Sequence, residues 1–321
     1  ARTGRPPLPR HSSNSYATET PVSDGQRVYS YFGMTCLFCF DMAGELLWEK
    51  DLGNYEMRAG WGTASSPVLF RGALFIQVDN EQQSLLVSLD ASNGNERWKL
   101  PRPESSQYSS PIICQNSLRS ELITGGQFYR SYDPDSGELL WELDMEKGRS
   151  SATPVASGYR LYVGTEFRDR GGSDDGGGFL FAIQPGGAGD ISPGEGRTTS
   201  SSVRWKLPNT GIQLASPVLC QDHVYLLERR RGIVCCVTVA PGDIAYRKRG
   251  PSSRVFWSSP WTDGENVFCL DDAGTSHVLA GGPEFKVIAR NELDEQTWSS
   301  PGFANNSIYL RTSKHLYRIA E

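Results

Sequence analysis

Apolar and polar positions in this chain alternate in short bursts, and the bursts recur. Val68-Leu69-Phe70 runs into a turn at Arg71-Gly72. Ala73 to Val78 follows, then a loop over Asp79 to Gln83, then Leu85 to Asp90. A turn at Ala91-Ser92-Asn93-Gly94 leads to Glu96-Arg97-Trp98-Lys99. Four β-rich runs punctuated by Gly, Asn and Asp predict four successive antiparallel strands. The layout returns at Asp133-Pro134-Asp135-Ser136-Gly137 before Leu140-Trp141, and at Phe40 to Gly44 before Leu47-Trp48. Seven copies open on a Ser/Thr-Pro step, with prolines Pro21, Pro67, Pro111, Pro154, Pro217, Pro260 and Pro301. Successive prolines stand 46, 44, 43, 63, 43 and 41 residues apart. A period in the low forties is that of a propeller blade, one four-stranded sheet per repeat. The expected fold is therefore all-β, a β-propeller of seven repeats forming a single domain over residues 1–321.

Within each copy the residue types have local work. Proline suits a strand's first position, where no ladder hydrogen bond is lost. Asp bonds backbone two residues on, and Gly takes positive φ without steric cost. An aromatic residue closes the copy and can bury a large apolar area between neighbouring blades. Trp48, Trp98, Trp141 and Trp205 hold this slot, Tyr246 holds it in copy five, and in copy six it drifts to the Phe285 to Ile288 region. The 63-residue spacing marks a Gly-rich, loop-like insertion at about 168–202, with Gly171 to Gly178 and Gly186 to Ser202 as its two stretches. The seventh copy runs out at Glu321 after about three strands, and Pro6, Pro7 and Pro9 make a poor ladder strand. Two readings fit: an eight-bladed ring lacking its first blade, and a seven-bladed ring closed by an irregular N-terminal strand.

The string Ser-Ser-Pro, strand, strand, Leu-Asp-x-x-x-Gly-x-x-x-Trp resembles the pyrroloquinoline-quinone (PQQ)-like propeller repeat. That family includes the quinoprotein dehydrogenases and the Bam-complex propeller of outer-membrane assembly, and residues 19–321 fall inside copies of the repeat. Residues His11 to Gly33, Gly186 to Ile191 and Leu310 to Ile319 resemble more narrowly the Bam-like propellers of planctomycete-type bacteria. The resemblance implies either a non-catalytic scaffold that binds protein or peptide partners, in the periplasm or at the cell envelope, or a quinoprotein oxidoreductase using PQQ and calcium.

Candidate chemistry separates the two. Cys235-Cys236 tempts the quinoprotein reading, because some of those enzymes bridge adjacent cysteines beside PQQ. Here the pair falls on the third strand of its repeat, where neighbours point to opposite faces. Cys36 and Cys39 form a C-x-x-C on a strand without a second pair, which disfavours zinc. The acidic pairs Asp174-Asp175 and Asp271-Asp272 lack calcium-loop spacing and read as solvated turns. His11, His223, His277 and His315 are scattered. A net charge of −5 gives no basic patch for nucleic acid, and no apolar run reaches the ~18 residues of a membrane helix. Glu228-Arg229-Arg230-Arg231 reads as a solvated hairpin. What departs from the repeat lies just before the Ser/Thr-Pro steps, where the chain approaches the central channel. Tyr108, Leu214, Trp257 and Trp298 stand there, and two readings fit them: partner-binding positions at the mouth, or plugs of the wide axial channel. The expected function is binding, with no catalytic, metal or cofactor residue assigned.

Overall fold

Seven sheets follow one another along the chain, and the first strand of each begins directly after the proline of a Ser/Thr-Pro step. The computed structural model describes residues 8–33, 35–146, 148, 151–157, 159–165, 178–228, 232–250 and 253–320. They group into two compact units, Ala1–Thr153 with Pro185–Ser192, and Pro154–Gln184 with Pro193–Glu321.

The first unit holds three blades. Blade 1 is Val22–Ser23, Arg27–Phe32, Cys36–Asp41 and Leu46–Lys50; blade 2 is Val68–Phe70, Ala73–Val78, Leu85–Asp90 and Glu96–Pro101. Blade 3 is Ile112–Gln115, Ser120–Thr124, Phe128–Tyr132 and Leu139–Asp144. The second unit holds four. Blade 4 is Val155–Ser157, Arg160–Gly164, Phe179–Ile183 and Val203–Pro208; blade 5 is Val218–Cys220, His223–Glu228, Ile233–Thr238 and Ile244–Arg249. Blade 6 is Trp261–Thr262, Asn266–Leu270, Thr275–Ala280 and Val287–Glu292, and blade 7 has Gly302–Ala304, Ser307–Arg311 and Leu316–Ala320. The strands of each blade pair in sequence order. This is a β-propeller fold of seven blades, and its helical content among the described residues is the short turn Arg58–Gly60.

One irregularity recurs in blades 1 to 6. The pairing of third and fourth strands shifts by a bulge after Cys39, Ser88, Ser131, Ala182, Cys236 and Val278. A bulge re-aims the side chain beside it. The residues opposite these positions are Trp48, Trp98, Trp141, Trp205, Tyr246 and Ala289. In the sixth copy the aromatic slot is therefore Ala289, outside the Phe285 to Ile288 region expected from sequence. Phe285 lies ahead of the strand and packs edge-on against Tyr246, at 5.3 Å between ring centres.

The tryptophans lock each blade to the next turn along. Trp48 Nε1 donates to the Ala91 carbonyl (3.2 Å), Trp98 Nε1 to that of Pro134 (3.1 Å) and Trp205 Nε1 to that of Val239 (3.1 Å). Each indole lies over a glycine of the same turn. A Cβ on Gly94 would stand 2.8 Å from the Trp48 ring, one on Gly137 3.0 Å from Trp98, and one on Gly242 2.6 Å from Trp205. All three glycines have positive φ, so the turn demands glycine twice, for its backbone and for the ring above it. Trp141 and Trp205 are buried, whereas Trp48 and Trp98 are half-buried.

Blade 3 departs from this scheme. Gly189–Asp190 pairs in parallel with its outer strand, Trp141 opposite Gly189, making a fifth strand. Ile191 N donates to the Glu142 carbonyl and Arg119 Nη2 to that of Gly187, and Gly187 sits against the Trp141 ring. Trp141 Nε1 turns to the buried Glu121 carboxylate (2.8 Å), which also accepts from Asn116, Arg119 and Ser131. This part of the insertion, expected as loop, is a packed edge cover whose glycines let its backbone approach an indole. Residues 166–177, with Asp174-Asp175 and most of the first Gly-rich stretch, lie outside the described residues.

Candidate functional site

The Ser/Thr-Pro steps themselves serve the fold. In the first unit Ser66 Oγ accepts from Thr20 N and Ser110 Oγ from Ser66 N; in the second, Ser259 Oγ accepts from Ser216 N and Ser300 Oγ from Ser259 N, all at 2.9 Å. Each amide lies just ahead of a strand, where no ladder partner is available, and a neighbouring blade's hydroxyl supplies the acceptor. Ser258 Oγ adds a bond to the Ser299 carbonyl (2.9 Å). The repeat's commonest polar residues are thus committed, and a site must be sought in what stands beside them.

Trp257 and Trp298 occupy equivalent places, each directly before a Ser-Ser-Pro step, and the fold brings them together. Their rings lie 5.3 Å apart at 36°. Trp298 is 41% exposed and Trp257 half-buried. A second aromatic group stands on the first strands of the same two blades. Trp261 stacks on Phe268 (5.3 Å, 7°) and approaches Phe303 (6.1 Å), which is 56% exposed. Trp261 and Phe303 were not among the expected positions. The signal was present, since Trp261 directly follows Pro260 where five other copies place Val or Ile.

Tyr108 belongs to the other unit, half-buried, with its ring 6.2 Å from Trp61, which also meets His11 edge-on. Leu214 is half-buried and precedes Ala215, a member of the core between blades 5 and 6. Within their own unit Trp257 and Trp298 are the expected pair that the structure joins. Half-exposed indoles offer flat apolar faces, a π surface for cations and an N–H donor, which suits recognition of side chains and not proton transfer.

All seven cysteines are free. On Ile233–Thr238, Cys235 stands opposite Leu226 and Arg247, and Cys236 opposite Tyr225 and Tyr246, so their side chains take opposite faces. Burial pushes the Cys235 thiol up to about 12 and Cys236 to about 11. Asp271 is not the solvated turn residue expected. It is buried, takes the amides of Ala273 and Thr275, and faces the buried His277 ring at 3.3 Å. Burial opposes its charge, yet the His277 contact and these amides hold its carboxyl below the usual range. Asp272 remains partly exposed beside Arg254 (3.6 Å). Glu228 pairs with Arg247, and Arg229, Arg230 and Arg231 lie outside the described residues. Among the described residues no three His, Cys, Asp or Glu side chains gather to hold a metal ion.

Residues 10–129 match the family model described as "Outer membrane protein assembly factor BamB". The matched stretch spans blades 1 and 2 and reaches the third strand of blade 3. Curated proteins give no significant match. Among solved structures the chain is similar to BamB from Moraxella catarrhalis, with a TM-score of 0.67 at 14% identity over 92% of this chain and 82% of that one. It is similar to the computationally designed Ika8 protein, with a TM-score of 0.53 at 11% identity over 97% of this chain and 98% of that one. It also resembles the quinohemoprotein alcohol dehydrogenase of Comamonas testosteroni, with a TM-score of 0.62 at 11% identity, covering 89% of this chain but 61% of the enzyme. At such identities these structures show a shared propeller fold. The family match and the BamB likeness support the PQQ-like repeat read in the sequence.

Proposed function

We propose that the chain is a non-catalytic PQQ-like repeat propeller that binds a protein or peptide partner at the cell envelope through the aromatic patch of blades 6 and 7. The observation that carries the reading is the Trp257–Trp298 pair, with one indole 41% exposed and 5.3 Å from the other. Large apolar rings facing water cost free energy unless covered, and such anchors dominate binding at interfaces. Trp261 and Phe303, 6.1 Å apart on the first strands of the same two blades, form a second aromatic pair. The match to an outer-membrane assembly factor over residues 10–129 supports a partner protein and an envelope location. No described helix is long and apolar enough to cross a membrane, and a net charge of −5 argues for no nucleic-acid partner.

The oxidoreductase alternative fits the residues less well. PQQ chemistry of that class needs calcium held by converging oxygen ligands, and the described carboxylates do not converge. Cys235 and Cys236 turn away from each other on one strand.

Photo-crosslinking in cells tests the site. A benzoylphenylalanine at position 298 should give a discrete protein adduct that Trp257→Ala weakens, while the same probe at the exposed Met42 of blade 1 should not. Equal adducts at both positions, or none at 298, would remove the site. Trp298→Ala should leave stability within about 0.5 kcal/mol, as expected of a surface change.

A further inference from the structure

A partly open cleft in the first unit, with room inside for about one water-sized group, lies among blades 1 and 2 and the segments that lead into blades 2 and 3. Four of its lining side chains share an unusual property. Tyr31 Oη, Ser65 Oγ, Gln77 Oε1 and Gln107 Oε1 are buried and have no hydrogen-bond partner among the described residues. Their residues are only 1–6% exposed. Buried polar atoms are almost always bonded, because an unmet acceptor or hydroxyl has given up water for nothing. One such atom can be incidental; four in the lining of one cleft describe a site.

The chemistry of the four atoms is one-sided. Gln77 Nε2 is already fixed by the Asp79 carboxylate (2.7 Å) and the Gly125 carbonyl (2.8 Å), so its oxygen is the end left over. Gln107 also offers an oxygen, and the two hydroxyls can each accept. No Lys, Arg or His lines the cavity. Asp79 is matched by Arg102; beside this wall stands Glu19, whose carboxylate accepts from Thr63 Oγ1 and from Gly33 N, both residues of the lining. Burial raises the pKa of this carboxyl, so a cation brought close would relieve it. Met57 and Val78 add apolar wall.

We propose that this cavity receives a primary ammonium group at the end of a methylene stem, either a free alkylamine or a lysine side chain. An ammonium carries three donors and no acceptor, which matches acceptors grouped without a competing cation. The apolar wall suits the stem and disfavours a bare metal ion. The site lies in the first unit and is independent of the Trp257–Trp298 patch.

Calorimetric titration of the full chain with n-butylammonium chloride tests this, with n-butanol and potassium chloride as controls at matched ionic strength. Saturable binding at about millimolar affinity is expected for so small a ligand. Tyr31→Phe and Ser65→Ala should each weaken it about tenfold while the thermal melt stays cooperative; Gln107→Leu serves if either fails to fold. Nα-acetyl-lysine methylamide separates the sources: binding at least as tight as the free amine assigns a peptide lysine, and its exclusion assigns a free amine. Absence of saturable binding, equal binding of butanol or potassium, or full affinity in the folded variants would each overturn the proposal. So would crystals soaked with the amine that show only water in the cavity.

Discussion

Blade 2 and blade 7 are written in the same repeat and end in opposite surroundings. In blade 2 all six residues of Ala73–Val78 are buried, and all of Leu85–Asp90 except the last. In blade 7 Gly302–Ala304 is exposed throughout, and in Leu316–Ala320 only Tyr317 is partly covered. A strand covered on both faces needs apolar residues without alternation, as in Ala73-Leu74-Phe75-Ile76. Blade 7 keeps a few inward positions, Ser307 and Leu310 among them, and shows Phe303, Leu316 and Ile319 to solvent. The difference teaches where such a repeat is free to vary. Between blades every position is bound by packing, whereas an uncovered sheet can carry aromatic residues for recognition.

The contrast in burial is greatest at the end of blade 2. Arg102 is buried and grips Asp79 with two nitrogens, at 2.7 and 3.1 Å, with Thr124 Oγ1 at 2.7 Å. Arg102→Ala leaves that carboxylate buried and unmatched and should cost about 3–5 kcal/mol in denaturant melts. Arg318 of blade 7, whose Nε reaches Ser307 Oγ from an exposed strand, should tolerate the same truncation without a measurable change in midpoint. Equal losses would show that blade 7 is as tightly held as blade 2.

Turn glycines differ in the same way on a smaller scale. Gly94 and Gly44 both have positive φ, but a Cβ at Gly94 would meet Trp48 at 2.8 Å and one at Gly44 would meet nothing within 4 Å. Gly44→Ala should cost about 1 kcal/mol for its backbone alone, and Gly94→Ala about 2–3 kcal/mol because the indole must also shift. Matching losses would mean that the ring contributes nothing to the turn.

The smallest effect on stability comes from the thiols. Burial raises Cys39, Cys114 and Cys236 to about 11 and Cys235 and Cys269 to about 12. A raised thiol pKa keeps the unreactive protonated form through neutral pH. A thiol reagent at pH 8 should leave these five slow in the folded chain and titrate all seven after denaturation. Five in the denatured chain would indicate a bridge, most naturally Cys235 to Cys236, and would revive the quinoprotein reading.

Much of the fold was legible because proline, the Asp-to-Gly turn and the closing tryptophan act locally and recur at fixed offsets. What escaped depends on partners distant in sequence. Ala289 holds the aromatic slot because a bulge sets the register of blade 6, and no residue type announces a bulge. Gly189–Asp190 read as loop because glycines are poor strand formers; the strand exists because blade 3 offers an edge and Trp141 a surface. Asp271 read as solvated because its buried partner His277 lies across a turn. At the candidate site, Trp257 and Trp298 were visible as departures from the repeat. Trp261 departed from the repeat as well, directly after Pro260 where five other copies place Val or Ile; Phe303 was hidden by lying within a strand, where aromatic residues are ordinary.

The serine hydroxyls that accept from a neighbouring blade have a kinetic consequence. The amides of Thr20, Ser66, Ser216 and Ser259 precede the strands, yet each is bonded across a junction between blades. Such a proton exchanges with solvent when that junction parts, so each of the four reports the opening of one named junction. Where neighbours are joined by like contacts, stability is held in nearest-neighbour terms. Four exchange rates would then rank the junctions by strength, giving a map of where the chain first comes apart.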